Sequence, residues 1–403
     1  MLRSILAGPL RVMTATGMLI LSCCLLALSL AAQGTGPDGA RARERGGKDT
    51  DGPVPRLPDG TPNLGRTEVG KGIWLLYQGS MNYSDILVDP PKSQGIPYQP
   101  WAGALQQYRD KVTSLRELPV GLCIPLAGLN IYTEGGQHPV ELIQLPEQKR
   151  IIQIMEAPAH LWREIFLDGR PHPPKEDLEN FPTFMGHAVG HWEGDTLVVD
   201  TVGFNEGTWI DRLGHPHTNQ MHLIERYTRT SLNNLHIEAT YDDPGAYTRP
   251  WTVALDLAWS PDSELKEYFC QGNNRWQEHY LKETKGATGT GNVGADSGHG
   301  HPVKGSFVGA WGPNPNAQDS LLVLMDWDGK AINGTINPGK QGVPITKAEL
   351  NPNNWTLHIE AGTGADRIVL DGKFENLTWL ARSLVGTYIR GNQRGTFKIT
   401  RQY

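Results

Sequence analysis

Gly186-His-Ala-Val-Gly-His-Trp-Glu-Gly-Asp-Thr-Leu-Val-Val-Asp-Thr-Val-Gly-Phe-Asn205 is the stretch that decides the fold. His191-Trp192 and the run from Thr196 to Phe204 flank Glu193-Gly194-Asp195, a composition that reverses the chain tightly, so a β-hairpin is expected. The returning arm is rich in β-branched residues, which suit a pleated, half-buried surface. Working outward, the style repeats. Residues 150–156 and 161–167 are short β-type runs around an Ala-Pro-Ala break and precede the turn Asp168-Gly-Arg-Pro171. Residues 221–230, 234–241, 248–259 and 264–270 are further strand-like runs, separated by turn clusters such as Asp242-Asp-Pro-Gly245. Only residues 101–117 look helical, with Leu105, Tyr108, Val112 and Leu115 at three- and four-residue steps. Successive hairpins imply an antiparallel meander over a main domain of residues 58–284.

The glycine-dense run from Lys285 to His301 cannot feed a core and reads as a linker, residues 285–301. Beyond it, residues 302–403 carry strand-like runs at 305–311, 320–327, 331–337, 346–350, 355–360 and 367–375, then two closing strands. Asp326-Trp-Asp-Gly329, Asn314-Pro-Asn316 and Asn351-Pro-Asn353 are turn signals between them. The expected fold is therefore mainly β: a barrel-like antiparallel meander with one or two short helices, followed by a smaller β-barrel or sandwich.

Length and composition agree with this division. A chain of 403 residues exceeds one domain, and its 47 Gly and 29 Pro suit many short strands joined by turns. With a net charge of −6 and no basic stripe interleaved with aromatics, nucleic-acid binding is excluded. At the start, Arg3 and Arg11 precede the apolar run 18–30, and small residues follow. This predicts a signal peptide over residues 1–32, cleaved after Ala31 or Ala32, with lipidation at Cys23 as the alternative. The run is too short to span a bilayer, so no stable membrane insertion is expected after cleavage, and the protein is placed in the periplasm or outside the cell. Residues 33–57 are Gly, Pro and charge, and read as a disordered leader. Cys123 and Cys270 then remain as one even pair, which predicts a single disulfide, two separately buried thiols being the alternative. Nothing in the chain sets the oligomeric state.

Chemistry concentrates in one region. Five of the thirteen histidines, His187, His191, His215, His217 and His222, fall within it. If the first segment is extended, His187 and His191 share one strand face. His215 and His217 flank a proline beside Asp211, with Glu225 nearby, so a His/carboxylate metal site is chemically open although no standard zinc spacing is matched. The bland alternative is that these histidines cap turns and line polar faces. A third reading uses one or two as general acid or base beside Asp211 or Asp200. Arg163, Arg170, Arg212, Arg226 and Arg249 alternate with Trp162, Trp209, Tyr227, Tyr247 and Trp251, a set suited either to binding a carboxylate or sugar or to packing Arg stems on aromatics. The expected catalytic residues are His187, His191, Asp211 and His215, and the expected ligand-binding residues are Trp209, Arg212, His217, His222, Arg226 and Trp251. No nucleophile elbow, phosphate loop or dinucleotide fingerprint is present, so no nucleotide cofactor is expected. The expected function is a secreted enzyme of lyase, isomerase or hydrolase type acting on a small organic or glycan-derived substrate. The alternative is a secreted small-molecule-binding barrel without catalysis.

The phrases Ile165-Phe-Leu-Asp-Gly-Arg-Pro-His172, Gly186 to Asn205 as quoted above, and Asp243-Pro-Gly-Ala-Tyr-Thr-Arg-Pro-Trp251 resemble a large family of uncharacterised exported bacterial proteins. The opening Pro55-Arg-Leu-Pro-Asp-Gly-Thr-Pro-Asn-Leu64 fits the same family, so the resemblance spans residues 55–276. His191 stands where the family phrase has Arg, and Cys123-Ile-Pro-Leu-Ala-Gly128 departs from a Cys-x-Pro-x-Gly-x-Pro pattern. The resemblance implies kinship and export, not a reaction. In the C-terminal part, Gly309-Ala-Trp311 and Arg401 resemble the calycin pattern, in which a late basic side chain covers an early Trp.

Overall fold

Alternation of inward and outward side chains builds the walls. In strands β8 (His222–Arg229) and β9 (Asn234–Asp242) every second residue is buried, as a strand with one face on a core requires. The computed structural model describes residues 52–67, 71–76, 83–113, 118–125, 127–129, 139–156, 161–268, 300–314, 317–337, 342–377 and 382–402. Within them the chain is mainly β and forms two closed barrels with a few short helices.

The first barrel contains β1 (Ile73–Leu76), β3 (Val140–Leu145), β4 (Arg150–Met155), β5 (Leu161–Phe166), β6 (His187–Glu193), β7 (Thr196–Val202), β8, β9 and β10 (Trp251–Ser260). They pair in that order, and β10 returns to β1 to close the ring. The short β2 (Leu87–Asp89) attaches to β10. The decisive hairpin is present, with β6 and β7 pairing antiparallel around the expected turn. One pair departs from the expected antiparallel pattern: β5 and β6 run parallel, Ile165 opposite Ala188. Parallel neighbours need a crossover, and residues 167–186 supply it along the outside of the wall, carrying α3 (Lys175–Asn180). Gly203, at a positive φ of 77°, lets the crossover lie close, because an added Cβ would sit 2.7 Å from the Leu178 side chain.

Two other short helices, α1 (Tyr83–Ile86) and α2 (Pro100–Tyr108), belong to the segment between β1 and β3, on either side of β2. Proline opens α2 at its first turn, where its missing N–H costs nothing, and a π turn over Arg109–Thr113 continues it. The strand expected at 264–270 is not formed in its described part, residues 264–268. Both edges of β10 are already taken by β9 and β1. The Lys266 N–H donates instead to Glu156 Oε2 at 2.6 Å.

The second barrel is a simple up-and-down ring: β11 (Gly305–Asn314), β12 (Ala317–Trp327), β13 (Ile332–Ile336), β14 (Val343–Asn351), β15 (Thr356–Ala361), β16 (Ile368–Asn376), β17 (Ser383–Arg390) and β18 (Gln393–Arg401). Each pairs with the next and β18 closes on β11. Phe307, Val323, Ile359, Leu370, Leu384 and Phe397 fill its interior. The expected cover of Trp311 by Arg401 is corrected. Arg390 lies 5.6 Å over that indole, while Arg401 is buried elsewhere, its Nε donating to the Lys304 carbonyl at 2.9 Å.

The barrels touch through aromatic rings. His301 stacks on Trp327 at 4.4 Å and meets Trp101 of α2 edge-on at 4.5 Å. Burial holds the His301 pKa well below its ordinary value, with Arg382 and Lys304 acting in the same direction, so the ring packs as a neutral group. Trp327, Leu350 and Trp355 pack against both cores. The signal segment, the leader up to residue 51, Cys270 and linker residues 285–299 lie outside the described residues.

Candidate functional site

The predicted site residues fall into three places. His187 and His191 do share a face, as period two requires, but it is the outer face, since Ala188 between them is the buried one. His191 is 63% exposed and contacts only Glu193 among its charged neighbours, at 3.2 Å. Arg226 reaches the same carboxylate at 2.8 Å. His191, Glu193 and Arg226 form a surface charge cluster beside the hairpin turn, so His191, expected as a catalytic residue, stands on the open outer surface.

His187 belongs to a tighter group on that outer face. His172, from the crossover, sets its Nδ1 2.9 Å from His187 Nδ1 and its Nε2 3.1 Å from Asp200 Oδ1 on β7. His222, which opens β8, places Nε2 2.6 Å from the same oxygen. An ionised carboxylate can only accept, so both imidazoles donate to it through Nε2–H. With His172 neutral, its Nδ1 then accepts from His187 Nδ1–H. The bond to Asp200 raises the His222 pKa, outweighing burial. Burial raises the Asp200 carboxyl, yet the His222 and His172 contacts prevail and leave it below its ordinary value. Burial lowers the His187 pKa, helped by His172 and by Arg170. Phe166 stacks on His187 at 5.5 Å, and Arg170 lies over the same phenyl ring at 3.7 Å.

Asp211 and His215 lie elsewhere, buried where loops seal one end of the first barrel. His215 Nδ1 lies 2.5 Å from Asp211 Oδ1, a close contact that lacks hydrogen-bond alignment. Tyr98 stacks on the His215 ring at 5.7 Å, and Tyr83 lies 6.3 Å away. Tyr83 and Tyr241 share a 2.8 Å hydrogen bond, and Trp251 stacks on Tyr241 at 4.6 Å. The four residues His187, His191, Asp211 and His215 therefore do not face one cavity. His217 is also fully buried, and burial pulls its pKa down to about 4. Trp209 packs under Arg109, whose guanidinium lies 4.7 Å over the indole. Arg212 sits half-buried in the same loop.

The barrel interior below this seal is also polar. Arg163 grips Glu225 with both terminal nitrogens, at 2.7 and 2.9 Å, and donates through Nε to Gln153 at 2.6 Å. Tyr227 completes the knot, donating to Glu225 at 2.8 Å. All four side chains are buried, so this knot is closed to solvent.

An open cavity lies instead between the barrels. It has a volume of about 390 Å³, and its wall includes Glu179 and Pro182 of the crossover, Asn205 and Glu206 of the loop after β7, and Lys304 and Arg401 of the second barrel. Lys304 pairs with Glu206 and lies 3.5 Å from Asp326. Burial pulls the Lys304 pKa down, but the two carboxylates outweigh it and keep the ammonium charged. Glu206 also accepts from the Asn219 N–H at 3.0 Å. A wider groove of about 830 Å³ runs along the outside of the second barrel, where His358 pairs with Asp371 at 2.6 Å and with Glu360 at 3.2 Å. Sequence reasoning missed the cleft because its wall comes from five separated segments. It missed His172 because nothing local places a crossover residue on β6. Among the described residues no group of three His, Cys, Asp or Glu side chains is arranged to hold a metal ion.

Fold and cavity together define a two-barrel protein with a polar cleft at the barrel junction. No protein-family model matches the chain, and no curated protein matches it. Among solved structures it is similar to a protein of unknown function of the DUF3598 family from Nostoc punctiforme, at 8% identity over 66% of this chain and 87% of that one, with a TM-score of 0.18.

Proposed function

We propose that the chain is an exported protein that binds a small, hydroxyl-bearing polar molecule in the cleft between its barrels. The observation that carries this reading is the cleft's lining. Lys304, Asn205 and Asn219 offer donors, while Glu179 and Glu206 offer acceptors. Hydroxyl groups both donate and accept, so they suit such a mixed, charge-balanced wall better than an anion or a cation does. The volume lies at the lower end of the usual range of about 300–1,000 Å³, and domain junctions are a preferred place for such sites. We put the cleft before the wider groove because the groove is open outer wall, whereas the cleft lies at the junction of the two barrels. Binding is put before turnover because the histidines expected as acid and base stand outside the cleft.

The test is calorimetric titration of the mature chain near neutral pH with glucose, xylose, cellobiose, glucuronate and succinate. A neutral sugar should bind, and Glu206→Gln should weaken that binding about tenfold, since one good charged hydrogen bond is worth about 1.5–3 kcal/mol. Preference for succinate over every sugar would overturn the reading. Export also keeps the predicted Cys123–Cys270 bridge within this proposal. Cys123 is bonded through its sulfur, and the denatured, unreduced mature protein should titrate no free thiol. Two reactive thiols would remove the bridge.

A further inference from the structure

The crossover 167–186 links the histidine group to the cleft. Near its start His172 is bonded to β6 and β7, and the end of α3 with the residues just after it supplies Glu179, Asn180 and Pro182 to the cleft wall. No side chain of α3 is buried. The two ends of the crossover are fixed, the Leu167 N–H donating to the Lys149 carbonyl at 2.8 Å and Met185 being buried in the core, and between them it meets the barrel through Arg170 over Phe166, the His172 contacts, Leu178 against Gly203 and the backbone of Thr183.

We propose that the contact between His172 and His187 is a proton-released pin: acidification frees the middle of the crossover from the barrel and so loosens the Glu179–Pro182 wall of the cleft. This rests on the cleft reading for its consequence, but not for its chemistry. The contact between His172 Nδ1 and His187 Nδ1 needs one donor and one acceptor. One added proton leaves the pair a donor and an acceptor; a second leaves two N–H groups facing each other at 2.9 Å. His222, whose pKa the Asp200 bond raises, charges before His187 and holds the same carboxylate oxygen at 2.6 Å. From the crossover, Arg170 faces His187, although Asp168 pairs with it at 2.6 Å, and Asp242 of β9 acts on His222. Asp200 Oδ1 is already shared between His172 and His222, so no free acceptor replaces the broken contact.

The sign follows from the direction of the shift. The His187 pKa is lowered in the folded state, so this group's contribution is complete above the ordinary histidine value and is lost as pH falls through and below it. Hydrogen exchange of the full chain reads the pin directly, because the N–H groups of Leu178, Phe181 and Thr183 donate to Pro174, Asp177 and Gly203. Between about pH 7.5 and about pH 5, after correction for intrinsic rates, protection in 167–186 should fall by up to about tenfold per unit below the transition, the slope of one proton. Peptides from β16 should hold their protection over the same range. His187→Phe keeps a ring beside Phe166 and cannot be protonated, so its crossover protection should not change with pH. Asp200→Asn should lose crossover protection at both values. Unchanged wild-type protection, a fall shared by β16, or an equal fall in His187→Phe would each overturn the proposal. Failure of every sugar to bind at neutral pH would overturn the cleft reading and leave this exchange result standing.

Discussion

The two barrels solve the same closure problem with apolar cores, but only the first sets a knot of buried charged and polar side chains among them. The second is filled by apolar side chains, with Leu321, Ile336, Leu370 and Leu384 fully buried. The first holds Arg163, Glu225, Gln153 and Tyr227 at its centre, and Arg229 at one end between the rings of Trp74 and Trp259 at 4.9 and 5.1 Å. An apolar interior needs only volume and rotamer fit, whereas a buried charge must be matched in place by its partner. The difference shows where each barrel is fragile. The second should lose stability gradually as methyl groups are removed, and the first should fail when one member of a pair is removed.

The largest effect should come from breaking the Arg163–Glu225 grip. Arg163→Met leaves a carboxylate buried without its partner, and losses of about 3–5 kcal/mol are usual for such a cut. Urea unfolding of the full chain, followed by tryptophan fluorescence, measures it. Adding Glu225→Leu should restore most of the loss, because replacing both charges by apolar groups is often neutral. A single variant costing under about 1 kcal/mol would show that the knot does not organise the first barrel and would erase the contrast.

The same contrast explains what could be read from sequence. In the second barrel nearly every inward slot is apolar, so the alternation of 320–327 or 367–375 locates strands within a few residues of β12 and β16. In the first barrel a charged residue such as Arg163 or Glu225 occupies an inward slot, and a one-dimensional pattern assigns charges outward. The strands β1 and β3 also went unread: Ile73–Leu76 is only four residues long and buried throughout, so it shows no alternation. The parallel β5–β6 pair is invisible because register there is set by a crossover, not by a turn. For the site, period two placed His187 and His191 together correctly but could not say which face was outward. That depended on Ala188, the small residue that packs inside. The cleft was illegible for a plainer reason, since Glu179, Glu206, Lys304 and Arg401 meet only after both barrels have closed.

The smallest effect concerns the cover over Trp311 and tests how closely the second barrel follows the calycin pattern. Arg390 is exposed and its guanidinium lies 5.6 Å from the indole centroid, while Trp311 is already buried with its ring 5.0 Å from that of Tyr388. A cation over an aromatic at such an exposed position is worth about 0.5–1 kcal/mol. Arg390→Ala should therefore cost no more than that in urea unfolding. Arg401 does different work: it is buried, and its Nε–H satisfies the Lys304 carbonyl at 2.9 Å beside the cleft. Arg401→Met leaves a buried acceptor without this donor, a loss of about 1–3 kcal/mol, and it should also weaken sugar binding because Lys304 stands on the cleft wall. The ordering is the sensitive quantity. If Arg390→Ala proved the costlier change, the covered indole would be the keystone of the second barrel, and its stability would depend, like that of the first, on a single placed charge.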